Sequence, residues 1–364
     1  MSFGTAARAA LLASVAIACG GPASDLTPKE AAAERAYAAG RYLEAAECFS
    51  TAAETSPRAR DREEARYRQA MSLERAGRPE DARAVLERLL HAFPAGARAP
   101  RALYDLAVLD LEQGRTDQGN RGLDEIVRRY PNSGPAPAAL RRLVAELDAR
   151  GESAVRAYLE ALAPRVSSTE LAQYVDYEHA RSREREGDLA AARAEYLSLA
   201  DRYPYPKGVF WDDALYRAGD LDVKLGSARD AIAVFERLLA ERESAFLGGS
   251  YERGRYAEAA FRVAELYRDA LADPARARHE FETVWATYRT SRLRDDAAWC
   301  AARIAADSGD SAGACRLLHE LSEASPDSRY VACATAVCVS FRPPPRAGRC
   351  HDYLLRDPPP SPSE

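Results

Sequence analysis

Small and bulky apolar residues recur along most of the chain at a long, regular interval that is marked by glycine. The interval is 37 residues between the first four marked positions, then 36 and 39, and after a gap of 46 it returns to 37. We call these eight positions anchors, and they are Gly40, Gly77, Gly114, Gly151, Gly187, Gly226, Ala272 and Gly309. Self-similarity at a fixed period predicts a repeat protein in which each unit packs on its neighbours.

The residues around the anchors repeat as well. In most units a small residue stands five positions after the anchor and a bulky apolar residue nine positions after it, as Ala82 and Leu86 do. Small residues also stand seven positions before the anchors. A proline often stands seventeen positions after the anchor, as Pro94 does after Gly77. This spacing places the apolar residues on one helical face, and proline ends a helix. Each unit is therefore predicted to be a helix, a turn at the anchor and a second helix.

This order of small, aromatic, glycine, alanine, aromatic and proline positions resembles the tetratricopeptide repeat. The resemblance covers residues 27–326 and implies an all-α solenoid of about eight helical hairpins, a right-handed superhelix closed by a capping helix. Hairpins 1 to 6 are expected within 28–242, and hairpins 7 and 8 within 256–326. The insertion at 243–255 is interpreted as a surface loop, with a partner-binding loop or a hinge as the alternative.

An aromatic row precedes the anchors by ten residues. The resemblance implies that this position lies on the first helix of each hairpin and that first helices line a concave groove. Rigid aromatic side chains bind well there because they bury a large area at little entropic cost. The predicted partner-binding groove consists of Tyr67, Tyr104, Arg141, Tyr177, Tyr216, Arg262 and Trp299. Its two arginines suit a peptide or helix with acidic residues. The alternative is that the aromatic side chains only pack between hairpins.

The N-terminus has the pattern of an export signal. Arg8 supplies a positive charge, and the ten residues from Ala9 to Ala18 form an apolar run that is too short to span a bilayer. Residues 1–18 are therefore predicted to be a signal peptide and 19–27 a linker. The segment Ala-Ile-Ala-Cys-Gly around Cys19 resembles the lipobox of bacterial lipoproteins, which implies that Cys19 is lipidated. Cleavage without lipidation is the alternative.

Tyr-Pro and Phe-Pro pairs close several second helices, as at 93–94, 130–131 and 203–204. With the lipobox, they resemble the periplasmic tetratricopeptide lipoproteins of Gram-negative envelopes, of the BamD and Tol-Pal coordinator type. The resemblance implies an outer-membrane-anchored periplasmic scaffold or adaptor that binds protein partners in an envelope assembly or transport machine. The alternative function is a peptidoglycan- or glycan-binding accessory factor of an envelope enzyme, and the alternative location is the soluble periplasm.

Five of the seven cysteines lie near the C-terminus. Export makes them disulfide candidates, and they are Cys300, Cys315, Cys333, Cys338 and Cys350. Cys315 lies opposite Cys300 across one turn and opposite Cys338 across the next, so the two pairings exclude each other. Residues 327–352 are predicted to cap the last hairpin with a helix at 329–341, and the proline-rich residues 353–364 are predicted to be disordered.

Composition and charge narrow the range of functions. A net charge of −5 over 364 residues provides no basic surface for nucleic acid. The sequence lacks His-Glu-x-x-His, Gly-x-Ser-x-Gly and phosphate-loop motifs, and its cysteine spacing is not typical of a zinc site. Its acids alternate with arginines along the helices, which is typical of solvated faces. We therefore expect a protein that is not an enzyme and needs no cofactor or metal.

Overall fold

The computed structural model describes residues 28–241, 254–345 and 347–356. The chain divides into two compact units, Met1–Ala149 and Arg150–Glu364, which we call unit 1 and unit 2. The predicted signal peptide, Cys19 and nearly all of the predicted insertion at 243–255 lie outside the described residues. Within the described part of the chain, no helix has both the length and the apolar character needed to cross a membrane.

Unit 1 is helical throughout its described part. Its helices are α1 (Pro28–Ala38), α2 (Tyr42–Thr55), α3 (Ala59–Arg75), α4 (Pro79–Ala92), α5 (Ala99–Glu112), α6 (Thr116–Arg129) and α7 (Ala136–Asp148). Helix α1 packs on α2, α3 on α4 and α5 on α6, and each helix also packs on the next, so that α7 lies against α6. Alanine, leucine, glutamate and arginine dominate these segments, and they are the residues with the highest helix propensity.

Unit 2, taken by itself, has the same kind of helical arrangement. Its helices are α8 (Glu152–Val166), α9 (Ala172–Glu186), α10 (Leu189–Arg202), α11 (Trp211–Lys224), α12 (Ala228–Ala240), α13 (Gly254–Asp269), α14 (Pro274–Thr287), α15 (Arg294–Asp307) and α16 (Ser311–Ala324). Helix α8 packs on α9, and the helices from α9 to α16 form four hairpins. The predicted all-α class and tetratricopeptide-like arrangement are confirmed by these sixteen helices of the described residues.

The anchors form the tight turns at the ends of the first helices. All seven glycine anchors adopt φ between 73° and 96°, a left-handed conformation that a Cβ atom disfavours. The eighth anchor, Ala272, has φ of 49° and is the one non-glycine residue with positive φ in the described part of the chain. The recurrent glycine therefore reflects the backbone conformation that the turn requires.

The positions five and nine residues after the anchors fill the interior, as the repeat predicts. Ala82 and Ala192 are completely buried, and so are the bulky residues Leu86, Tyr196 and Phe235. Small residues let the paired helices approach closely, while the large ones fill the adjoining layer to normal packing density. The register assigned to these second helices is confirmed.

The turn of hairpin 7 contains one residue more than the turn of hairpin 8. The Asp273 amide donates to the carbonyl of Tyr267, six residues earlier, whereas the equivalent Asp310 amide donates to Ala305, five residues earlier. The extra residue rotates α13 relative to a register counted backwards from Ala272. Each repeat position on α13 is therefore occupied by the residue that precedes the one assigned by counting back from Ala272.

This rotation corrects the predicted aromatic row, because Phe261, and not Arg262, occupies the position of the row on α13. The rings of Phe261 and Phe281 pack with centroids 5.1 Å apart. The rings of Tyr216 and Phe235 pack in the same way in the preceding hairpin, at 5.7 Å. Arg262 instead lies one position further round the helix, beside acidic residues. On α13 the row was broken only by the count, whereas on α7 Arg141 does stand at the position of the row.

The chain after α16 covers hairpin 8 without the helix predicted at 329–341. In its place Val331–Ala336 forms a short 3₁₀ helix, followed by irregular chain. Two disulfides, Cys315–Cys338 and Cys333–Cys350, hold this segment. A chain tied down at both ends and rich in β-branched residues has little tendency to form a regular α-helix. Of the two pairings considered for Cys315, the one with Cys338 is present.

Cys300 is a free, buried thiol, so its inclusion among the disulfide candidates was wrong. It lies on α15, where the Arg268 guanidinium donates to its sulfur, with Nη1 3.5 Å from the Cys300 sulfur. The partner that sequence symmetry offered, Cys315, faces the C-terminal segment instead.

The ordered chain extends beyond the predicted boundary at 353. Asp352–Leu355 forms a second 3₁₀ helix. Leu354 is completely buried in the core of unit 2, and Arg303 donates to the carbonyl of Arg356. The burial of Leu354, the Arg303 hydrogen bond and the Cys333–Cys350 disulfide together hold this short segment, and its proline-rich composition does not predict these contacts. Residues 357–364 lie outside the described part.

Candidate protein-interaction face

The predicted groove residues lie on the first helices of the hairpins, which are α3, α5, α7, α9, α11, α13 and α15. Within each unit, we call the side of these helices that carries them the first-helix face. Arg141 is exposed, and Tyr104, Tyr216 and Arg262 are half-buried. These four side chains are the accessible part of the predicted groove.

The other three predicted groove residues are enclosed. Trp299 is completely buried and stacks on Tyr330, with ring centroids 5.1 Å apart. Tyr67 and Tyr177 are only 8% and 7% exposed, and Tyr177 stacks on Phe210 at 4.1 Å. These rings pack between successive hairpins, so the prediction that they form a groove surface was wrong. The number of residues between a side chain and its anchor predicts which face of the helix the side chain is on. It does not predict whether the next hairpin covers that face.

A tyrosine, an aspartate and an arginine meet on the first-helix face of unit 1. The Tyr67 hydroxyl on α3 donates to Asp105 on α5 at 2.8 Å. Arg101, one turn before Asp105, donates to the same carboxylate at 3.2 Å. Burial, together with the Asp105 charge, raises the pKa of Tyr67 to about 12. Burial also raises the pKa of Asp105, because it outweighs the hydrogen bonds from Tyr67 and Arg101.

Unit 2 contains the same three residue types with aspartate and arginine exchanged along the helix. The Tyr177 hydroxyl donates to Asp213 on α11. Arg217, one turn later, donates to the Tyr177 hydroxyl at 3.0 Å and to Asp213 at 2.9 Å. Arg255 on α13 contacts the other Asp213 oxygen at 2.6 Å. Burial acts to raise the pKa of Asp213, but the hydrogen bonds from Tyr177 and Arg217 and the Arg255 charge together lower it.

A third triad joins the C-terminal segment to α15. Arg329 donates to Asp296 and to the Tyr330 hydroxyl, each at 2.8 Å, and the Tyr330 hydroxyl donates to Asp296. Burial, together with the Asp296 charge, raises the pKa of Tyr330 well above its usual value. In all three triads a carboxylate accepts from both a tyrosine and an arginine, which is a strong, charge-assisted arrangement.

Arginines on the first helices, or directly before one in the case of Arg98, also reach back to acids on the preceding first helix. The pairs are Arg68 with Glu34, Arg98 with Glu64, Arg255 with Asp213 and Arg262 with Asp220. Each arginine follows its acid by 34 to 42 residues, about one repeat. From the sequence these charges were interpreted as a solvated surface, and the ion pairs between successive first helices were not predicted. The sequence pattern that could have predicted these ion pairs is an arginine about one repeat after an acidic residue.

A polar cleft in unit 2 is lined by side chains of α9 and α10, among them Asp176, His179, Glu195 and Arg202. The His179 Nδ1 atom lies 2.8 Å from Glu195, and this hydrogen bond raises the pKa of His179 against the effect of burial. Arg202 and the Tyr203 hydroxyl both donate to Asp176. The ionisable groups of the cleft thus largely satisfy one another. Among the described residues, no three His, Cys, Asp or Glu side chains are grouped to hold a metal ion.

Known proteins match this chain through its repeats. Family profiles described as tetratricopeptide repeat match residues 30–97, 75–144 and 213–242. Comparison with curated proteins found no match.

Similar solved structures include three repeat proteins. The C-terminal part of a TPR repeat-containing protein from Cytophaga hutchinsonii is 14% identical over 73% of this chain and 97% of that chain, with a TM-score of 0.47. A tetratricopeptide repeat protein from Parabacteroides merdae is 14% identical over 73% and 94%, with a TM-score of 0.34. PilW, a type IV pilus biogenesis factor, is 14% identical over 64% and 97%, with a TM-score of 0.39. At this identity the likeness concerns the fold alone. Tetratricopeptide repeats are protein-binding modules, which indicates a scaffold for protein–protein interaction.

Proposed function

We propose that this protein is an outer-membrane lipoprotein that faces the periplasm and serves as a scaffold in an envelope assembly or transport machine. The observation that carries the proposal is the pair of disulfides, Cys315–Cys338 and Cys333–Cys350. Disulfides persist in oxidising compartments such as the bacterial periplasm and are rare in the cytosol. The lipobox-like segment around Cys19 supports the same location and adds a membrane anchor.

The first-helix face supports the binding role. Its accessible residues include Tyr104, Arg141 and Tyr216, and tyrosine and arginine are enriched where proteins bind one another. The buried triads and the arginine pairs hold successive first helices together. A surface that is already ordered loses less entropy when a partner binds.

The anchor is tested by expressing the full chain in a Gram-negative bacterium and measuring the intact mass of the mature protein in each envelope fraction. We expect a mature chain that begins at an acylated Cys19 and is found with the outer membrane. The control Cys19→Ser should be released in soluble form with the circular dichroism of the parent, because Cys19 precedes all the described helices. A water-soluble parent protein with an unmodified Cys19 would contradict the proposal.

The scaffold role is tested by mild cross-linking of intact envelopes followed by purification of the tagged full chain. A defined envelope protein should be recovered with the parent, and less of it with the double variant Tyr104→Ala, Arg141→Ala. Equal recovery with the double variant would move the binding surface elsewhere. Retention on purified peptidoglycan without any protein partner would instead favour the glycan-binding accessory factor.

A further inference from the structure

Helix α7 lacks the carboxylate that completes the triads. On α5, the positions thirteen and nine residues before the anchor hold Arg101 and Asp105, and on α11 the same residue types are exchanged. On α7 these positions hold Ala138 and Arg142. The arginine is present, and an alanine stands where the acid would be.

The tyrosine that accompanies such a pair is present. Tyr67 and Tyr177 stand ten residues before their anchors, and their hydroxyls reach the aspartate on the next first helix. Tyr104 stands at the same position on α5, and the next first helix is α7, which carries Arg142. Tyr104 and Arg142 therefore occupy the tyrosine and arginine positions of a triad that has no carboxylate.

The arginines of α7 also differ from the triad arginines because no acidic side chain of the described residues pairs with them. Within the described residues, no salt bridge involves Arg141 or Arg142. Glu146, one turn after Arg142, makes no ion pair with it. Arg101 and Arg217, by contrast, each contact a carboxylate on their own helix. A guanidinium and a phenol hydroxyl at the positions of such a triad together form a donor set that fits a carboxylate.

We propose that Tyr104, Arg141 and Arg142 bind a glutamate or aspartate side chain from an acidic segment of a protein partner. That carboxylate completes the triad from outside the chain. Ala138 is only half-buried, so the place of the absent carboxylate is open to a partner. Two unpaired positive charges side by side provide the charge complementarity. The proposal rests on the scaffold function proposed above and adds the chemistry of the segment that is bound.

The test measures binding of a fluorescein-labelled peptide of alternating glutamate and serine to the full chain by fluorescence anisotropy. The same peptide with glutamine in place of glutamate is the comparison. We expect the glutamate peptide to bind and the glutamine peptide to bind at least about tenfold more weakly. Arg142→Ala should weaken binding of the glutamate peptide by about tenfold or more, with Arg142→Lys in between.

The sharpest variant is Ala138→Asp, which supplies the missing carboxylate within the chain. The new carboxylate and Arg142 would repeat the arrangement of Asp213 and Arg217, one turn apart. Affinity for the glutamate peptide should fall by about tenfold or more while circular dichroism and melting temperature stay at or above those of the parent. The matched control is Arg316→Ala, which removes an exposed arginine from α16 and should leave affinity unchanged.

Three results would overturn the proposal: equal binding of the two peptides, unchanged affinity in a folded Ala138→Asp variant, or an equal loss in Arg316→Ala. Competition by inorganic phosphate as strong as that by the glutamate peptide would also overturn it, because the site would then bind anions in general. If the peptide fails to bind while envelope cross-linking still recovers a partner, this site is rejected and the scaffold function stands.

Discussion

The triad around Asp105 in unit 1 and the triad around Asp213 in unit 2 contain the same three residue types, yet the pKa values of the two aspartates shift in opposite directions. Asp105 receives hydrogen bonds from one tyrosine and one arginine, and burial raises its pKa. Asp213 has the same partners and, in addition, Arg255 from the next first helix, and its pKa is lowered. The extra cation beside Asp213 thus distinguishes these two carboxylates.

The largest expected effect is the cost of Asp213→Asn. The variant leaves Arg217 and Arg255 without a full counter-charge, and removing one partner of a buried pair is strongly destabilising. Because the Asp213 side chain is still 21% exposed, we expect a loss of about 2 to 3 kcal/mol in the free energy of unfolding at neutral pH. Asp105→Asn should cost less than about 1 kcal/mol, since asparagine still accepts from Tyr67. Urea unfolding followed by circular dichroism measures both, and equal costs would remove the distinction between the triads.

Acid should affect the two variants in opposite directions. The lowered pKa of Asp213 contributes stability above its unfolded pKa, and this is lost as the pH falls through the folded pKa. The raised pKa of Asp105 means that the folded protein gains stability relative to its asparagine variant as the pH falls through the folded pKa. From neutral pH towards about 3, the cost of Asp213→Asn should therefore shrink and that of Asp105→Asn should grow. Parallel pH dependences would contradict the assigned shifts.

A smaller change should make the second triad resemble the first. Arg255→Ala removes the extra cation, so the pKa of Asp213 should rise, and stability should fall by about 1 kcal/mol or less because Arg255 is one-third exposed. The measurement is the NMR titration of the Asp213 carboxyl carbon. Arg237→Ala, which removes a similarly exposed arginine paired with Asp201, is the control and should leave that titration unchanged.

The smallest expected effect concerns the turns, where unit 1 uses glycine at all its anchors and unit 2 has Ala272 at one of them. Ala272→Gly should raise stability by about 0.5 to 1 kcal/mol, because alanine is strained at φ of 49°. The reciprocal control, Gly309→Ala, should lower stability by a similar or larger amount. Thermal melts that move in the same direction for both variants would show that turn strain does not govern these positions.

Local spacing predicted the helices well, and contacts between hairpins limited the prediction of the site. Ala82 and Leu86 were assigned to the core because five- and nine-residue offsets lie within one helix. The enclosure of Tyr177 depends on Phe210, which comes from the following hairpin, so no local pattern reveals it. One extra residue in a turn was enough to exchange Phe261 and Arg262 in a count that spans two helices.

The C-terminal cysteines show a similar limit, since sequence symmetry offered Cys315 two partners on equal terms. The choice depends on how the segment after α16 folds back, which brings Cys338 to within 5.1 Å of Cys315 between Cα atoms. Disulfide connectivity is a property of the folded chain, and spacing alone cannot supply it.

The buried thiol on α15 has a consequence for how the protein matures. An unpaired cysteine beside two disulfides is a hazard during oxidative folding, because its thiolate can attack a finished bond and scramble the pairing. Burial raises the pKa of Cys300 to about 12, so almost none of it is nucleophilic at neutral pH. Once α15 has packed, Cys300 is withdrawn from thiol exchange and does not compete in the oxidation of the four disulfide-bonded cysteines.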